Sequence, residues 1–340
     1  MNRLPLAVTM GDPVGVGPEI VLKAFRESPM QTGQAFGLLH VGDPEVYVRT
    51  ARHLGWEIPF RVFDAPTPEM GTSPDHFDIL ATRAKANHEV FAFGQPHADH
   101  AAATVESIET ACRMALEGRV VAMVTPPIHK GSIHAAGFDF PGHTELLARL
   151  LGVDCPVMML AGNGLRVVLA TIHQSLASVP ASLTRDGLRR VIRITLESLR
   201  TDFAMPQPRV VVTGLNPHAG EEGAFGDEEL TLIGPVCREL ALEYPLLRGP
   251  LPADTLFHPR ARAGYDAVVC MYHDQALIPL KMLAFGNAIN VTLNLPIVRT
   301  SVDHGTAHDI AGQGTADPGS YLAALSAAGE MAINRKKGRG

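Results

Sequence analysis

The sequence predicts an α/β protein built on buried parallel strands, and three observations carry that prediction. Short apolar, β-branched runs alternate with helical stretches along the 340 residues, an order that lays helices on the faces of a sheet. Most of these runs are continuously apolar, as strands covered on both faces are. Several lead into loops rich in Gly, Pro, Asn or His, where parallel sheets gather their ligands.

Taken in order, residues 4–9 form the first run and residues 11–17 the first loop. Pro18 and Glu19 suit an opening helical turn, because Pro lacks the amide that would go unpaired and Glu complements the dipole. Residues 60–99 are rich in Pro, His and charge and weak in periodicity, so long surface loops or an excursion from the sheet are expected there. Residues 104–117 carry Val105, Ile108, Cys112, Ala115 and Leu116 on one helical face, and Gly118 ends the pattern. Residues 119–125, 165–172, 209–215 and 266–272 read as further strands. Residues 184–201 and 227–243 read as long helices, the second bent by Pro235.

A chain of this length implies two domains or one large α/β unit. Its hydrophobic content is 46% and its formal charge −6, which describes a packed globular protein and argues against a nucleic-acid binder. The basic residues at 335–339 read as a solvated tail. Cys112, Cys155, Cys237 and Cys270 show no C-x-x-C spacing and fit a reducing compartment. The N-terminal apolar run is too short for a signal peptide, and no apolar span reaches 18 residues. A soluble, cytoplasmic protein with no membrane partner is expected.

Three strand-like runs lead to a histidine: His173, His218 and His273, the last beside Asp274. Three imidazoles at strand ends suit a divalent metal with open coordination positions. On pattern alone, a shared metal site and three separate loop residues remain equally open. Residues 140–147, Phe-Pro-Gly-His-Thr-Glu-Leu-Leu, place a turn before a helix that Thr144 or His143 can cap. They make either a simple cap or an anion site. Lys281, Asn290 and Arg299 are candidates for clamping phosphate or carboxylate, though a lone Lys or Arg is more often solvated. Gly305, Gly312 and Gly314 would let backbone approach a cofactor. No G-x-G-x-x-G fingerprint, G-x-S-x-G elbow or P-loop occurs, so a Rossmann domain, acyl transfer and nucleotide hydrolysis lose their usual signals.

Across these segments the chain resembles the 4-hydroxythreonine-4-phosphate dehydrogenases of pyridoxal phosphate synthesis. The resemblance runs from Val8-Thr9-Met10-Gly11-Asp12-Pro13 almost to the C-terminus. It is densest at residues 141–147, 214–221, 251–257, 271–275 and 299–307. It implies two α/β/α domains of the isocitrate and isopropylmalate dehydrogenase type, with the active site in the interdomain cleft. Residues 1–128 plus 284–340 would form the first domain, with the NAD loop. Residues 129–283 would form the second, with the metal ligands and the dimer interface. It further implies that His173, His218 and His273 bind the metal, drawn from both subunits of a homodimer. Zn is the expected ion, with Mg or Co as alternatives.

Substrate contacts are implied for His143, Thr144, Lys281, Asn290 and Arg299. The cofactor, NAD or NADP, is assigned to His304, Gly305, Thr306, Asp309 and Gly312. Where the family usually reads Thr-Gly-Pro or Thr-Ala-Pro, this chain has Thr125-Pro126-Pro127, and Pro126 removes a backbone donor. The implied reaction is oxidation of 4-phosphooxy-L-threonine to 2-amino-3-oxo-4-phosphooxybutanoate, which decarboxylates to 3-amino-2-oxopropyl phosphate. Lys281 is the candidate for proton handling, and Asp254 or Asp274 for orienting a histidine. The nearest rival is a paralogous dehydrogenase of threonate or erythronate phosphate. A metal-dependent hydrolase or lyase is a more distant one, and a non-catalytic phosphometabolite binder would leave the histidines without a purpose.

Overall fold

The computed structural model describes residues 4–27 and 36–338. Strands β1 (Leu6–Thr9), β2 (Leu38–Gly42), β3 (Phe60–Phe63), β4 (Phe77–Ala81) and β5 (Ala122–Thr125) come first. Helices α1 (Val16–Glu27), α2 (Pro44–His53), α3 (Ala101–Leu116), α4 (Lys130–Ala135) and α5 (His143–Leu151) run among and after them. The chain then enters a second compact unit, Val157–Asn294. There lie β6 (Val157–Gly162), β7 (Leu165–Leu169), β8 (Val210–Thr213), β9 (Arg248–Leu251), β10 (Ala267–Cys270) and β11 (Ile289–Leu293). Its helices are α6 (Val179–Ser182), α7 (Arg185–Thr201), α8 (Gly234–Ala241), α9 (Ala253–Leu256), α10 (Pro259–Arg262) and α11 (His273–Ala284). The chain returns to the first unit with β12 (Arg299–Val302) and most of α12 (Gly319–Lys337).

In the first unit the strand order is β3-β4-β2-β1-β5-β12, and every pairing is parallel. Its core packs Ala7, Leu39, Val41 and Met123 against Val105, Ile108 and Cys112 of α3, the face that helical periodicity predicts. Residues 60–99 depart from expectation. Phe77, Ile79 and Leu80 are buried in β4, which pairs on both edges. The two strands there are only four and five residues long, too short to impose a period against the polar loops around them.

In the second unit the order is β11-β6-β7-β10-β8-β9. Here β7, β10, β8 and β9 run parallel, whereas β6 pairs antiparallel with both β7 and β11. The β6–β7 hairpin turns on Asn163 and Gly164, both with positive φ (46° and 78°), the combination that two-residue hairpins require. This hairpin escaped the parallel-strand reading, although Asn-Gly between apolar runs is its sequence signal. The division between the units falls after Pro156 and after Asn294. The expected boundaries place 129–156 in the second domain and 284–294 in the first. They also leave the end of α12 in the first, whereas from Asn334 it belongs to the second unit. Leu146 and Leu147 of α5 join the first unit's core, and β11 takes its register from β6.

Two helix ends also differ. The bend within residues 227–243 is a π turn, Glu229–Ile233, completed before Pro235, which occupies the first turn of α8. The basic C-terminal residues are not all solvated: α12 continues to Lys337, and the Arg335 guanidinium holds the buried Asp202 carboxylate at 2.5 and 2.9 Å. Arg339 lies outside the described residues. No described helix is long and apolar enough to cross a membrane.

Candidate active site

In the second unit β10 lies between β7 and β8, all parallel, so their carboxyl ends share one edge. His173, His218 and His273 follow these three ends within a few residues. Side chains lace the ends together. Thr171 Oγ1 donates to Met271 O at 2.7 Å. Gln275 Oε1 accepts from Met271 N and Thr213 Oγ1, both at 2.7 Å, and its Nε2 donates to Gly214 O at 2.8 Å. Sequence reasoning treated Gln275 only as part of a resemblance. Its role depends on contacts to residues 61 and 62 positions away, which no local signal reports.

The His173 and His273 rings lie 5.6 Å apart at 46°. They face a surface pocket of about 560 Å³ that Ile172, Leu176, Val179, Tyr272 and Asp274 also line. His273 opens α11, and its Nδ1 is 2.7 Å from Asp274 Oδ1. With that nitrogen donating to the carboxylate, Nε2 keeps its lone pair for a ligand. The pair fits two positions of a divalent-metal site.

His218 does not join them. Among the described residues no three His, Cys, Asp or Glu side chains form a metal-sized group within one chain. His218 instead begins a run of left-handed backbone: φ is 52°, 54°, 82°, 42° and 56° from His218 to Glu222. Left-handed backbone costs about 1–2 kcal/mol per non-glycine residue, so the surroundings must impose this turn. Asp254 is exposed on α9, which packs beside the turn. Lys281 lies two turns along α11 from His273 on the same face, since residues four and eight apart align. Asn290, on β11, has a buried Oδ1 without a hydrogen-bond partner.

The first unit holds the remaining predicted residues. Neither His143 nor Thr144 caps α5. Gly142 is the N-cap, with fully extended backbone and no side-chain bond, and the two residues already lie in the first turn. The His143 side chain is half-buried, and its Nε2 is shielded from solvent without a hydrogen-bond partner. Burial, with help from the Arg299 and Lys130 charges, holds it well below the usual histidine range, so it is neutral. Arg299 is itself only 3% exposed and donates to Thr125 Oγ1 at 2.7 and 3.1 Å. Burial lowers its guanidinium to about 10, opposed by Glu145. A helix N-terminus, a neutral imidazole and a buried cation form a setting for an anion.

Residues 303–318 connect β12 to α12, and α1 and the loop before it hold them. Val16 N donates to Thr306 O at 2.9 Å, and Asp12 Oδ2 meets His308 Nε2 at 2.8 Å. The buried Glu19 carboxylate accepts from Gly312 N at 2.9 Å and Ala316 N at 3.1 Å. Lys23 Nζ donates to the Gly314 and Ala316 carbonyls at 3.1 and 2.9 Å. Glu19 therefore does more than complement a dipole. Gly312 has φ +77°, and a Cβ there would meet Phe93 at 2.7 Å, so packing as well as backbone access explains it. His304, Gly305 and Asp309 are exposed. Pro126 packs against Gly11 and Gly17, where added Cβ atoms would stand 2.9 and 3.3 Å from its own.

Strand-end histidines in one unit and a buried cation beside a helix N-terminus in the other are groups of the kind that α/β enzymes use. The family model for "Pyridoxal phosphate biosynthetic protein PdxA" matches residues 35–328. The chain is 45% identical to a 4-hydroxythreonine-4-phosphate dehydrogenase of Caulobacter vibrioides, covering 98% of this chain and 99% of that one. Its counterpart from Maricaulis maris is 47% identical, covering 96% and 97%. A crystal structure of 4-hydroxythreonine-4-phosphate dehydrogenase from Klebsiella pneumoniae matches with a TM-score of 0.86 at 36% identity, covering 97% and 98%. The chain belongs to the PdxA family and is an oxidoreductase of pyridoxine biosynthesis.

Proposed function

We propose that this protein oxidises the secondary hydroxyl of 4-phosphooxy-L-threonine, and that the 3-oxo acid so formed decarboxylates to 3-amino-2-oxopropyl phosphate. The observation that carries the reading is near-full-length identity of about 45% to enzymes named for this substrate. NAD or NADP supplies the hydride acceptor, and residues 304–312 are its proposed contact. A divalent metal, Zn or alternatively Mg or Co, supplies a Lewis acid that lowers the hydroxyl pKa and polarises the ketone.

His173, His218 and His273 are its proposed ligands. The closeness of His173 and His273 in one chain, and the separation of His218, favour a set completed by a second copy. Ile278, Met282 and Phe285 are exposed at the C-terminal half of α11 and just beyond it. That apolar face supports a homodimer. Asp274 holds the His273 tautomer, Lys281 handles a proton, and Asp254 is the weaker candidate for orienting a histidine. Asn290 offers its unpartnered amide oxygen to a donor on the substrate. In the first unit His143, Thr144, Arg299 and the α5 amides take the anionic groups. Four free cysteines support a reducing, cytoplasmic setting.

The test is a panel of 4-phosphorylated hydroxy acids with NAD and with NADP, following reduced nicotinamide. The highest kcat/KM should belong to 4-phosphooxy-L-threonine. Faster turnover of threonate or erythronate phosphate would move the protein to a paralogous activity.

A further inference from the structure

We propose that Glu229 is a positioning residue that, through the left-handed turn it braces, determines where the His218 imidazole is presented. The inference rests on the reading of His218 as a metal ligand. Beyond the end of β8, Glu229 Oε1 accepts from the amides of Leu215 and Asn216 at 2.7 and 2.8 Å. Its Oε2 accepts from Asn216 Nδ2 at 3.0 Å, a group that also donates to Glu228 Oε2 at 2.7 Å. Glu229 is only 4% exposed, although it sits among exposed neighbours.

The same carboxylate lies against the turn. A Cβ added at Gly220 would stand 2.6 Å from Oε2, and one at Gly214 would stand 2.9 Å from Oε1. One side chain is thus wedged between the strand end and the middle of the left-handed run, with three N–H groups directed at it. Left-handed backbone at non-glycine residues persists only where its surroundings over-determine it. Glu229 contacts both the strand end, at Leu215 and Asn216, and the middle of the turn, at Gly220. It reaches there from the first position of the π turn Glu229–Ile233, a local irregularity that often accompanies functional sites.

Glu229→Ala removes the acceptors. Glu229→Gln keeps one oxygen for the two amides but turns an NH2 toward Asn216 Nδ2, donor against donor. The full chain with each change, and with His218→Ala, would be compared by amide hydrogen exchange over residues 214–226 and by Zn²⁺ binding. Glu229→Ala should speed exchange in that segment alone and weaken Zn²⁺ binding by about 10–100-fold, as loss of a partner behind a ligand does. Glu229→Gln should fall between it and wild type. Unchanged exchange would overturn the inference. So would faster exchange with wild-type Zn²⁺ affinity, if His218→Ala loses the metal. If His218→Ala binds Zn²⁺ normally while Glu229→Ala still loosens the turn, the metal reading of His218 fails and the brace stands. Should Glu229→Ala unfold globally, Glu229→Gln decides, local acceleration supporting the brace and its absence overturning it.

Discussion

The two units hold their polar chemistry in opposite ways. In the first, Arg299 is buried and His143 half-buried with its Nε2 shielded from solvent, and Arg299 is already bonded to Thr125 within the same chain. Residues 303–318 are likewise tied down by Asp12, Glu19 and Lys23. In the second, His173 and His218 are exposed, His218 stands on left-handed backbone, and the three histidines do not converge. A buried polar group is stable when its partners are built in, as they are for Arg299 and Glu19, and the His143 Nε2 is the exception in this unit. The exposed histidines of the second unit carry no such demand, which suits the metal site and the dimer proposed above.

The largest expected effect breaks this comparison at the histidines. Replacing His173, His218 or His273 by Ala should lower turnover about a thousandfold or more, since Lewis-acid stabilisation is worth several kcal/mol. Metal content, read by elemental analysis, should fall with it. Mixing then sharpens the point. A His218→Ala chain combined with a His173→Ala chain should regain activity, because one site of the mixed dimer keeps His173 and His273 from one chain and His218 from the other. His173→Ala with His273→Ala should stay dead. Recovery in the second mixture as well would separate that pair.

Acid should expose the first unit's dependence on burial. Burial drives His40, stacked on Phe77 at 3.6 Å, down to about 3, and His143 is also lowered. Both are neutral when folded and take up a proton when unfolded near pH 6.5. Their stabilising contribution is therefore complete above that pH and lost as pH falls toward the folded values. The loss approaches about 1.4 kcal/mol per pH unit for each group. Urea midpoints between pH 7 and pH 4.5 should show this slope, and His40→Phe should flatten it. An identical slope in that variant would remove His40 from the account.

A smaller effect tests the anion setting. Thr144→Val should weaken phosphorylated substrate by about 1–2 kcal/mol while leaving cofactor affinity unchanged. If phosphorylated and unphosphorylated substrates slow equally, Thr144 is only a helix residue. Smallest of all, Gly164→Ala places a side chain at φ +78° where no atom lies within 4 Å. It should cost about 1 kcal/mol in thermal unfolding and nothing in metal content. A larger loss would mean that the hairpin supports more than its own turn.

Taken alone, the sequence was enough for the α/β class, the strands that end in histidines and the helical face of α3. Each rests on a run or period of neighbouring residues that burial imposes on the chain. The antiparallel β6–β7 hairpin was also written there, in Asn163-Gly164, but a continuous apolar run does not reveal its strand direction. The lacing by Gln275, the anchoring of residues 312–316 on Glu19 and the left-handed turn at His218 were decided only by tertiary structure. Each depends on a donor meeting an acceptor from another segment, or on a Cβ that has no room. Such partners are chosen by packing in three dimensions, and the order of residues along the chain does not encode the distance between them.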